Sequence, residues 1–424
     1  MTTRELALSV LERCQTAEQY SNIALDTALR RNALSASDRK LLTALVYGVI
    51  EKRITLDYWI DSLAERSRDV DLRTREVLRL GLYQLAFLDR IPSHAAVNET
   101  VSLSPKRTRA FVNAILRAFL RKDRKIPLPS RADPVRYLSV AYSFSPEICK
   151  TFLEIYGEER TEALLAAFDR QPPLTLRVNT LRIDREKLLS RLLEKGIDAR
   201  PTAESEVGIL VRGAAPFEIE GFDAGDFFVQ DEASQLCIEA LDAKEGMAVL
   251  DACACPGSKS FGAAIDMKNT GSVTACDLHA NKLSLVRGGA ERLGITTLLT
   301  EARDARAPRE DWEKRFDRVL CDVPCSGLGV FSKKPELRYK ELAPCASLPE
   351  IQYAILKNCS SFVKEGGLLV YSTCTLLPSE NGENVSRFLE EHQDFSLLRE
   401  RTLFPDLDGT DGFYFAVLQR QTLA

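Results

Sequence analysis

Cys325 and Cys374 lie in Asp322-Val-Pro-Cys-Ser-Gly and Ser372-Thr-Cys, each at the end of a short apolar run. A thiolate adds to an electron-poor carbon and can leave again, which makes such a residue a covalent catalyst. An ordinary cysteine ionises near ~8.5, so a positive or hydrogen-bonding surround is expected around one that works at neutral pH. Asp251, Asp277 and Asp304 hold equivalent places after other apolar runs. Any one of them alone reads better as a helix N-cap or a turn acceptor. Aspartates at successive strand ends point to a ligand instead. Between Asp251 and the next helical stretch runs Cys253-Ala254-Cys255-Pro256-Gly257-Ser258-Lys259, whose small residues let the backbone approach that ligand. This turn matches neither G-x-G-x-x-G nor G-x-x-x-x-G-K-S/T, so a pyrophosphate is not the favoured ligand.

Asp251 suits a cationic amino-acid moiety, and Asp277, 26 residues on, lies where a carboxylate accepts from both ribose hydroxyls. Asp304 would face an adenine edge. A nucleoside that carries an amino-acid chain and no phosphate is S-adenosylmethionine, the expected cofactor. A thiol beside its methyl group has a definite use. C5 of cytosine is too electron-poor to take a methyl directly, but a thiolate bonded to C6 breaks the aromatic 5,6 bond and leaves C5 as an enamine carbon that can. The C5 proton must then leave before the sulfur departs, which calls for a base or a second helper. Asp322 would hold the cytosine amino edge. Cys14, Cys149, Cys237 and Cys359 read as small hydrophobes, and the chain has no C-x-x-C pair, so no metal is expected.

These residues need a scaffold. In the C-terminal half, short apolar runs alternate with helical stretches: 248–251, 272–276, 297–299, 318–321 and 367–371. Such alternation predicts a doubly wound, mostly parallel α/β sheet of Rossmann-like type, with its ligand beyond the carboxyl ends of the strands. Residues 413–418 are expected as an added antiparallel strand at the end of the sheet. Thr2 to about Arg124 reads as helical throughout, and Lys125 to Pro134, with three prolines in ten residues, as a linker. Ser145-Pro-Glu and 158–168 read as two short helices stopped by Pro172-Pro173, 174–179 as a strand, and 184–194 as a helix with Gly196 at its C-cap. The expected domains are 1–126, all-α; 127–140, a linker; 141–222, small α+β; and 223–424, the α/β catalytic domain.

Residues 101–125 carry eight Lys and Arg against the single acid Asp123. A solvated helix face explains most charge runs. Here Phe111, Ile115 and Phe119 make the helix amphipathic, with its basic residues gathered towards one end, a shape suited to phosphates. Arg117, Arg121 and Lys122 are the expected RNA contacts. Over all 424 residues the net charge is −4, with 28% charged and 45% hydrophobic residues. That composition is globular, and it excludes a single small module, a disordered or fibrous chain and an indiscriminate nucleic-acid coat. No apolar run is long enough to span a membrane and the first residues lack a signal-peptide pattern, so a cytoplasmic protein with no membrane partner is expected. In a reducing compartment its 11 cysteines should be thiols, and 3 histidines leave catalysis to Cys, Asp, Lys and Ser.

Asp322-Val-Pro-Cys-Ser-Gly with Ser372-Thr-Cys and Pro378-Ser-Glu-Asn resembles the signature of the RNA cytosine-5 methyltransferases of the NOL/NOP2/Sun family. The resemblance implies that Cys374 is the nucleophile, that Cys325 assists release of the methylated RNA, and that Asp322 sits beside the methyl and the base. It also implies that Cys253 to Lys259 wrap the methionine part of S-adenosylmethionine, that Asp277 takes the ribose and that Asp304 lies by the adenine. Residues 228–236, 176–181 and 409–413 are similar to further segments of these enzymes. Residues 1 to about 125 resemble the NusB fold through Asn22, Asp38, Tyr47-Gly48, Leu82-Tyr-Gln-Leu, Ile91-Pro and Asn98-Glu99. A NusB-like domain ahead of such a catalytic domain is similar to the bacterial small-subunit ribosomal RNA methyltransferases of the Sun/Fmu/RsmB type. That implies a monomer acting on C5 of a 16S ribosomal RNA cytosine, presented in single-stranded or opened RNA because a paired base hides its faces. The alternatives are transfer RNA as substrate, a non-catalytic RNA-binding or antitermination factor on the same scaffold, and a redox dithiol protein. Two departures stand out. Ser258 adds a side chain where the family has glycine, and Ser379 and Gly382 replace two of its glutamates.

Overall fold

The computed structural model describes residues 1–16, 21–64, 70–170 and 173–422. One unit comprises Met1–Arg170 together with Phe331–Leu342. It begins with α1 (Thr3–Thr16), α2 (Ser21–Arg31), α3 (Ala36–Glu51), α4 (Arg53–Leu63), α5 (Leu72–Phe87), α6 (Ser93–Leu103) and α7 (Arg109–Arg121). Ser35 and Asp71 start α3 and α5 by accepting from the backbone N–H of Asp38 and Thr74, groups that would otherwise lack a partner. The apolar stripes of these helices meet in one core, where Leu45, Leu56, Leu78, Leu82 and Leu116 are fully buried. On α7, Val112, Ile115, Leu116 and Phe119 face inward while Arg117 and Arg121 are exposed, as is Lys122 at its end.

The proline-rich stretch is extended only in its first part. Asp133 caps and Pro134 begins α8 (Pro134–Tyr142), because a proline at the first helical position forfeits no hydrogen bond. A helix therefore stands where the sequence reads as linker. The next helix, α9 (Pro146–Phe168), breaks at Gly157, whose φ of +74° is left-handed, and so amounts to the two short helices expected. Pro172, read as their stop, lies outside the described residues. The sequence does not foretell that 331–342 packs in this unit. Phe331 stands edge-on to Phe144 and Phe168 with ring centres 5.0 and 4.8 Å away. The fully buried Arg338 guanidinium pairs with Glu51 and Asp169 at 2.8 and 3.1 Å.

The other unit, Gln171–Val330 with Ala343–Ala424, contains two sheets. The smaller has β1 (Leu174–Val178), β2 (Asp198–Pro201), β3 (Gly208–Arg212) and β4 (Phe227–Val229), antiparallel in the order β2-β3-β1-β4. Leu188 and Leu192 of α10 (Arg185–Glu194) share its core. The larger has β5 (Ala248–Asp251), β6 (Ser272–Asp277), β7 (Leu298–Ala302), β8 (Phe316–Asp322), β9 (Val363–Thr373), β10 (Phe395–Leu403) and β11 (Phe413–Arg420), in the order β10-β11-β9-β8-β5-β6-β7. From β9 to β7 the pairing is parallel. Helices α11 (Glu232–Leu241), α12 (Ser258–Asp266) and α13 (Leu283–Leu293) share one core cluster with alternate strand residues such as Val249, and α14 (Leu348–Ser360) and α15 (Gly382–Glu391) share another with Leu250. Burial on both faces is why these strands read as unbroken apolar runs. One expectation needs correction. Residues 413–418 do not close the sheet, because β11 lies between β9 and β10. The edge is β10, whose Arg399, Glu400 and Arg401 hide it from an apolar-run reading and suit a strand that faces solvent.

Arg338→Ala should leave Glu51 without its cation, and removing one partner of a buried pair costs about 3–5 kcal/mol. With Lys52 still on Asp169, the lower end is expected. Denaturant unfolding of the full chain checks this, and an unchanged midpoint for the helical unit contradicts it.

Candidate active site

Register decides which residues meet. β8 and β9 pair Cys321 with Tyr371 and Asp322 with Ser372, so both chains leave the sheet at the same edge and run on to Cys325 and Cys374. The two sulfurs lie 3.2 Å apart, and the Cys374 N–H donates to Cys325 Sγ at 3.3 Å. Both cysteines are half-buried. The Cys325 thiol is pushed well above its ordinary pKa by its hydrogen bond with Cys374, then by burial and the charges of Cys374 and Glu380. Close approach here requires a glycine. A Cβ on Gly329 would come within 2.0 Å of the Gly412 carbonyl oxygen and 2.8 Å of that of Cys374.

Asp322, at the end of β8, accepts from Lys259 Nζ at 2.7 Å through Oδ2 and from Ser372 Oγ at 2.8 Å through Oδ1. Burial alone would lower the pKa of the Lys259 ammonium, but the charge of Asp322 and its hydrogen bond, with the nearby Cys237 and Cys374, together more than reverse this. A cation, a carboxylate and two thiols thus gather beyond β5, β8 and β9. The sequence marks Lys259 only as a cofactor contact. Its pairing with Asp322 spans 63 residues, and no local pattern could have shown it.

Asp251 is buried, with Oδ2 accepting from Ser260 Oγ at 2.6 Å and Oδ1 left without a partner. Burial, partly offset by Ser260 and reinforced by the Asp322 charge, pushes its pKa up to about 7. Asp277, half-buried at the end of β6, accepts from the His279 N–H at 2.9 Å, and the Cys255 thiol beside it is pushed up to about 12, chiefly by burial. Asp304 is more occupied than expected. Its oxygens accept from the Arg306 backbone and guanidinium at 2.7 to 3.2 Å, which holds its carboxyl below the usual range.

The turn from Cys253 to Lys259 bends at Gly257, with φ +113°, where a Cβ would strike the Phe261 ring at 2.5 Å. Ser258 is already the first residue of α12, so its side chain brings no backbone strain. Its carbonyl accepts from Gln230 Nε2 at 3.1 Å, and the buried Gln230 Oε1 has no partner. The N-terminus of α12 carries no side-chain cap, which leaves N–H groups for an anion. Uncapped donors beside orphaned Asp251 and Gln230 acceptors fit the carboxylate and ammonium of an amino-acid chain. The departures after Cys374 fall outside the buried framework. Ser379 is exposed and Gly382 half-buried, whereas the retained Glu380 and Asn381 are buried.

Known proteins share this plan. A family model described as 16S rRNA methyltransferase RsmB/F matches residues 238–419, a NusB family model residues 1–121, and an RsmF/B-like ferredoxin-like domain model residues 148–218. The chain is 37% identical to the probable ribosomal RNA small subunit methyltransferase B of Bacillus subtilis (strain 168), covering 99% of each. The chain belongs to the RsmB/F family of 16S rRNA methyltransferases. Another RsmB-type relative, ribosomal RNA small subunit methyltransferase B of Serratia proteamaculans (strain 568), is 31% identical over 95% of this chain and 96% of its own. The crystal structure of PH0851 is similar with a TM-score of 0.81 at 25% identity, covering 99% of both chains. A methyltransferase homolog protein from Pyrococcus horikoshii gives 0.61 at 25% identity, covering 68% of this chain and 99% of its own. The RsmB/F architecture is therefore a NusB helical domain, a ferredoxin-like small domain and a Rossmann-like methyltransferase domain, and the activity is ribosomal RNA methylation.

Without ligand, folded Asp251 keeps its proton to about pH 7, whereas the unfolded carboxyl loses it near 3.8. The unfolded state binds fewer protons in that window, so this residue's contribution to stability declines as pH rises through it. Measured from pH 4 to 7, the unfolding free energy of Asp251→Asn should rise relative to that of the unaltered protein as pH increases; identical pH dependence in the two proteins contradicts the assignment.

Proposed function

We propose that the chain transfers a methyl group from S-adenosylmethionine to C5 of a cytosine in small-subunit ribosomal RNA, through a transient bond between Cys374 Sγ and C6. The observation that carries this is the pair of sulfurs 3.2 Å apart beside the Lys259–Asp322 ion pair. The cofactor supplies an electrophilic methyl group. Asp251, Gln230 and the N-terminus of α12 hold its amino-acid end, Asp277 binds the ribose, and Asp304, shared with Arg306, borders the adenine. Cys253 to Lys259 form the turn around the methionine part.

Lys259 favours the thiolate of Cys374 by its charge. The sulfur bonds to C6, the 5,6 electron pair moves to C5, and C5 takes the methyl. Asp322 accepts from the cytosine amino group and so holds the ring over the sulfur. A base then takes the C5 proton, the electrons of that C–H bond rebuild the 5,6 double bond, and the C6–S bond breaks with its pair returning to Cys374. Cys325 already accepts the Cys374 N–H and lies 3.2 Å from the departing sulfur, within reach to donate its S–H to it. Each sulfur therefore has its own task, nucleophile for Cys374 and release for Cys325.

Cys325→Ala should accumulate a covalent RNA–protein adduct on denaturing gels, whereas Cys374→Ala should form none and methylate nothing. Methylation by Cys374→Ala contradicts the nucleophile assignment. On α7, Arg117, Arg121 and Lys122 are exposed and have no acidic partner among the described residues. We assign them to RNA phosphates. Reversing all three charges should weaken RNA binding and shrink its salt slope by roughly 0.7 per lost contact on single-stranded RNA, with cofactor binding by calorimetry unchanged. Unaltered RNA affinity contradicts that role.

A further inference from the structure

One buried polar network grips both cysteine loops from behind. Pro324 and Ser326 flank Cys325. The Pro324 carbonyl accepts from Gln352 Nε2 at 3.0 Å, and the Ser326 N–H donates to Glu380 Oε2 at 2.9 Å. Gln352 Nε2 also donates to Glu380 Oε2, at 2.7 Å. Thr373 and Thr375 flank Cys374. Thr373 Oγ1 donates to Asn381 Oδ1 at 2.5 Å, Asn381 Nδ2 donates to the Thr375 carbonyl at 3.0 Å, and Ser326 Oγ lies 2.7 Å from Thr375 Oγ1. Tyr371 anchors the corner by donating to the Glu380 carbonyl at 2.6 Å. Ser326, Gln352, Tyr371, Thr373, Thr375, Glu380 and Asn381 are each no more than 4% exposed.

Glu380 is the one acid among these residues, and half of its carboxylate does nothing for the network. Both donors converge on Oε2, while Oε1 is buried with no partner. A glutamine would satisfy the same two donors without burying a charge, and burying a charge is costly. The negative charge therefore has a use beyond holding the fold. It bonds the residue next to Cys325 and acts on that thiol, while the Lys259 ammonium acts on Cys374.

We propose that Glu380 is a positioning residue: its carboxylate clamps the Cys325 loop against the Cys374 loop, and its charge keeps the shared proton of the sulfur pair on Cys325. The proposal rests on the reading of Cys374 as nucleophile. Two sulfurs in contact share one S–H···S⁻ bond, which can run either way. A carboxylate at one end and an ammonium at the other give it a direction, with the thiolate on Cys374. The neighbouring titratable groups agree with this. Tyr371, its hydroxyl kept neutral by burial, adds no charge at Cys325, and Asp322 is bound to Lys259.

Two substitutions in the full chain separate clamp from charge. Glu380→Gln retains an acceptor for Ser326 and Gln352 but removes the charge, so iodoacetamide labelling resolved by peptide mass should find Cys325 half-reacted about one pH unit lower than in the unaltered protein. Glu380→Ala removes both, and turnover should fall by on the order of 10²-fold with the RNA KM unchanged, while an RNA adduct accumulates as in Cys325→Ala. Superimposable Cys325 labelling profiles in a folded Glu380→Gln protein overturn the proposal, as does full turnover by Glu380→Ala. If Glu380→Ala does not fold, the Glu380→Gln profile decides alone. Failure of Cys325→Ala to trap RNA defeats the reading of the site itself; trapping by Cys325→Ala but not by a folded Glu380→Ala defeats only the role of Glu380.

Discussion

A slip of one residue between β8 and β9 would turn Asp322 and Ser372 to opposite faces of the sheet, because side chains alternate along a strand. The observed register sets them opposite one another, and the rest of the site follows from that pairing. The two chains emerge together, Val323 N–H donates to the Ser372 carbonyl at 3.1 Å, and the loops beyond have only a few residues in which to bring their sulfurs into contact. Register is held in turn by packing on both faces. Val319 and Leu369 are buried with one cluster, and Leu320 and Val370 with the other, so a slip would exchange the side chains fitted into each cluster.

Charge in the site is arranged around a deficit. Asp251 and Asp322 stand near a single ammonium, that of Lys259, and the outcome is uneven. Asp322 takes the lysine, while Asp251, deeper and bonded only through one oxygen, has its pKa pushed up to about 7. A pocket with one carboxylate too many is prepared for a cation. The proposed cofactor, a sulfonium nucleoside with an ammonium-bearing chain, would meet that need, which would connect its choice to the same residues proposed to activate the nucleophile.

The parallel core was legible because β5, β6, β8 and β9 are buried on both faces and so appear as apolar runs ending in Asp251, Asp277, Asp322 and Thr373. The motif cysteines could be placed at the ligand edge for the same reason. Other features left no such trace. β10 carries three charges in a row at Arg399-Glu400-Arg401, α8 begins on a proline that resembles linker, and Asp304 is claimed by Arg306 through a two-residue turn. The least legible features join distant residues. Lys259 to Asp322, Glu380 to Ser326 and Arg338 to Glu51 are each set by topology, and Arg338, an ordinary surface residue by type, is fully buried.

The helical unit presents exposed basic residues at the end of α7, and the α/β unit presents its thiols at the strand edge. The proposed methylation at C5 of a cytosine requires both a grip on phosphates and covalent chemistry at one base. The latter is tested most directly with RNA carrying 5-fluorocytidine at the target position, where fluorine cannot leave as a proton does and the sulfur stays bonded after methyl transfer. Digestion and mass spectrometry of the trapped complex should place the methylated nucleotide on the peptide containing Cys374. A nucleotide found on Cys325 instead, or an RNA methylated at that base with no bond to any cysteine, would contradict the account.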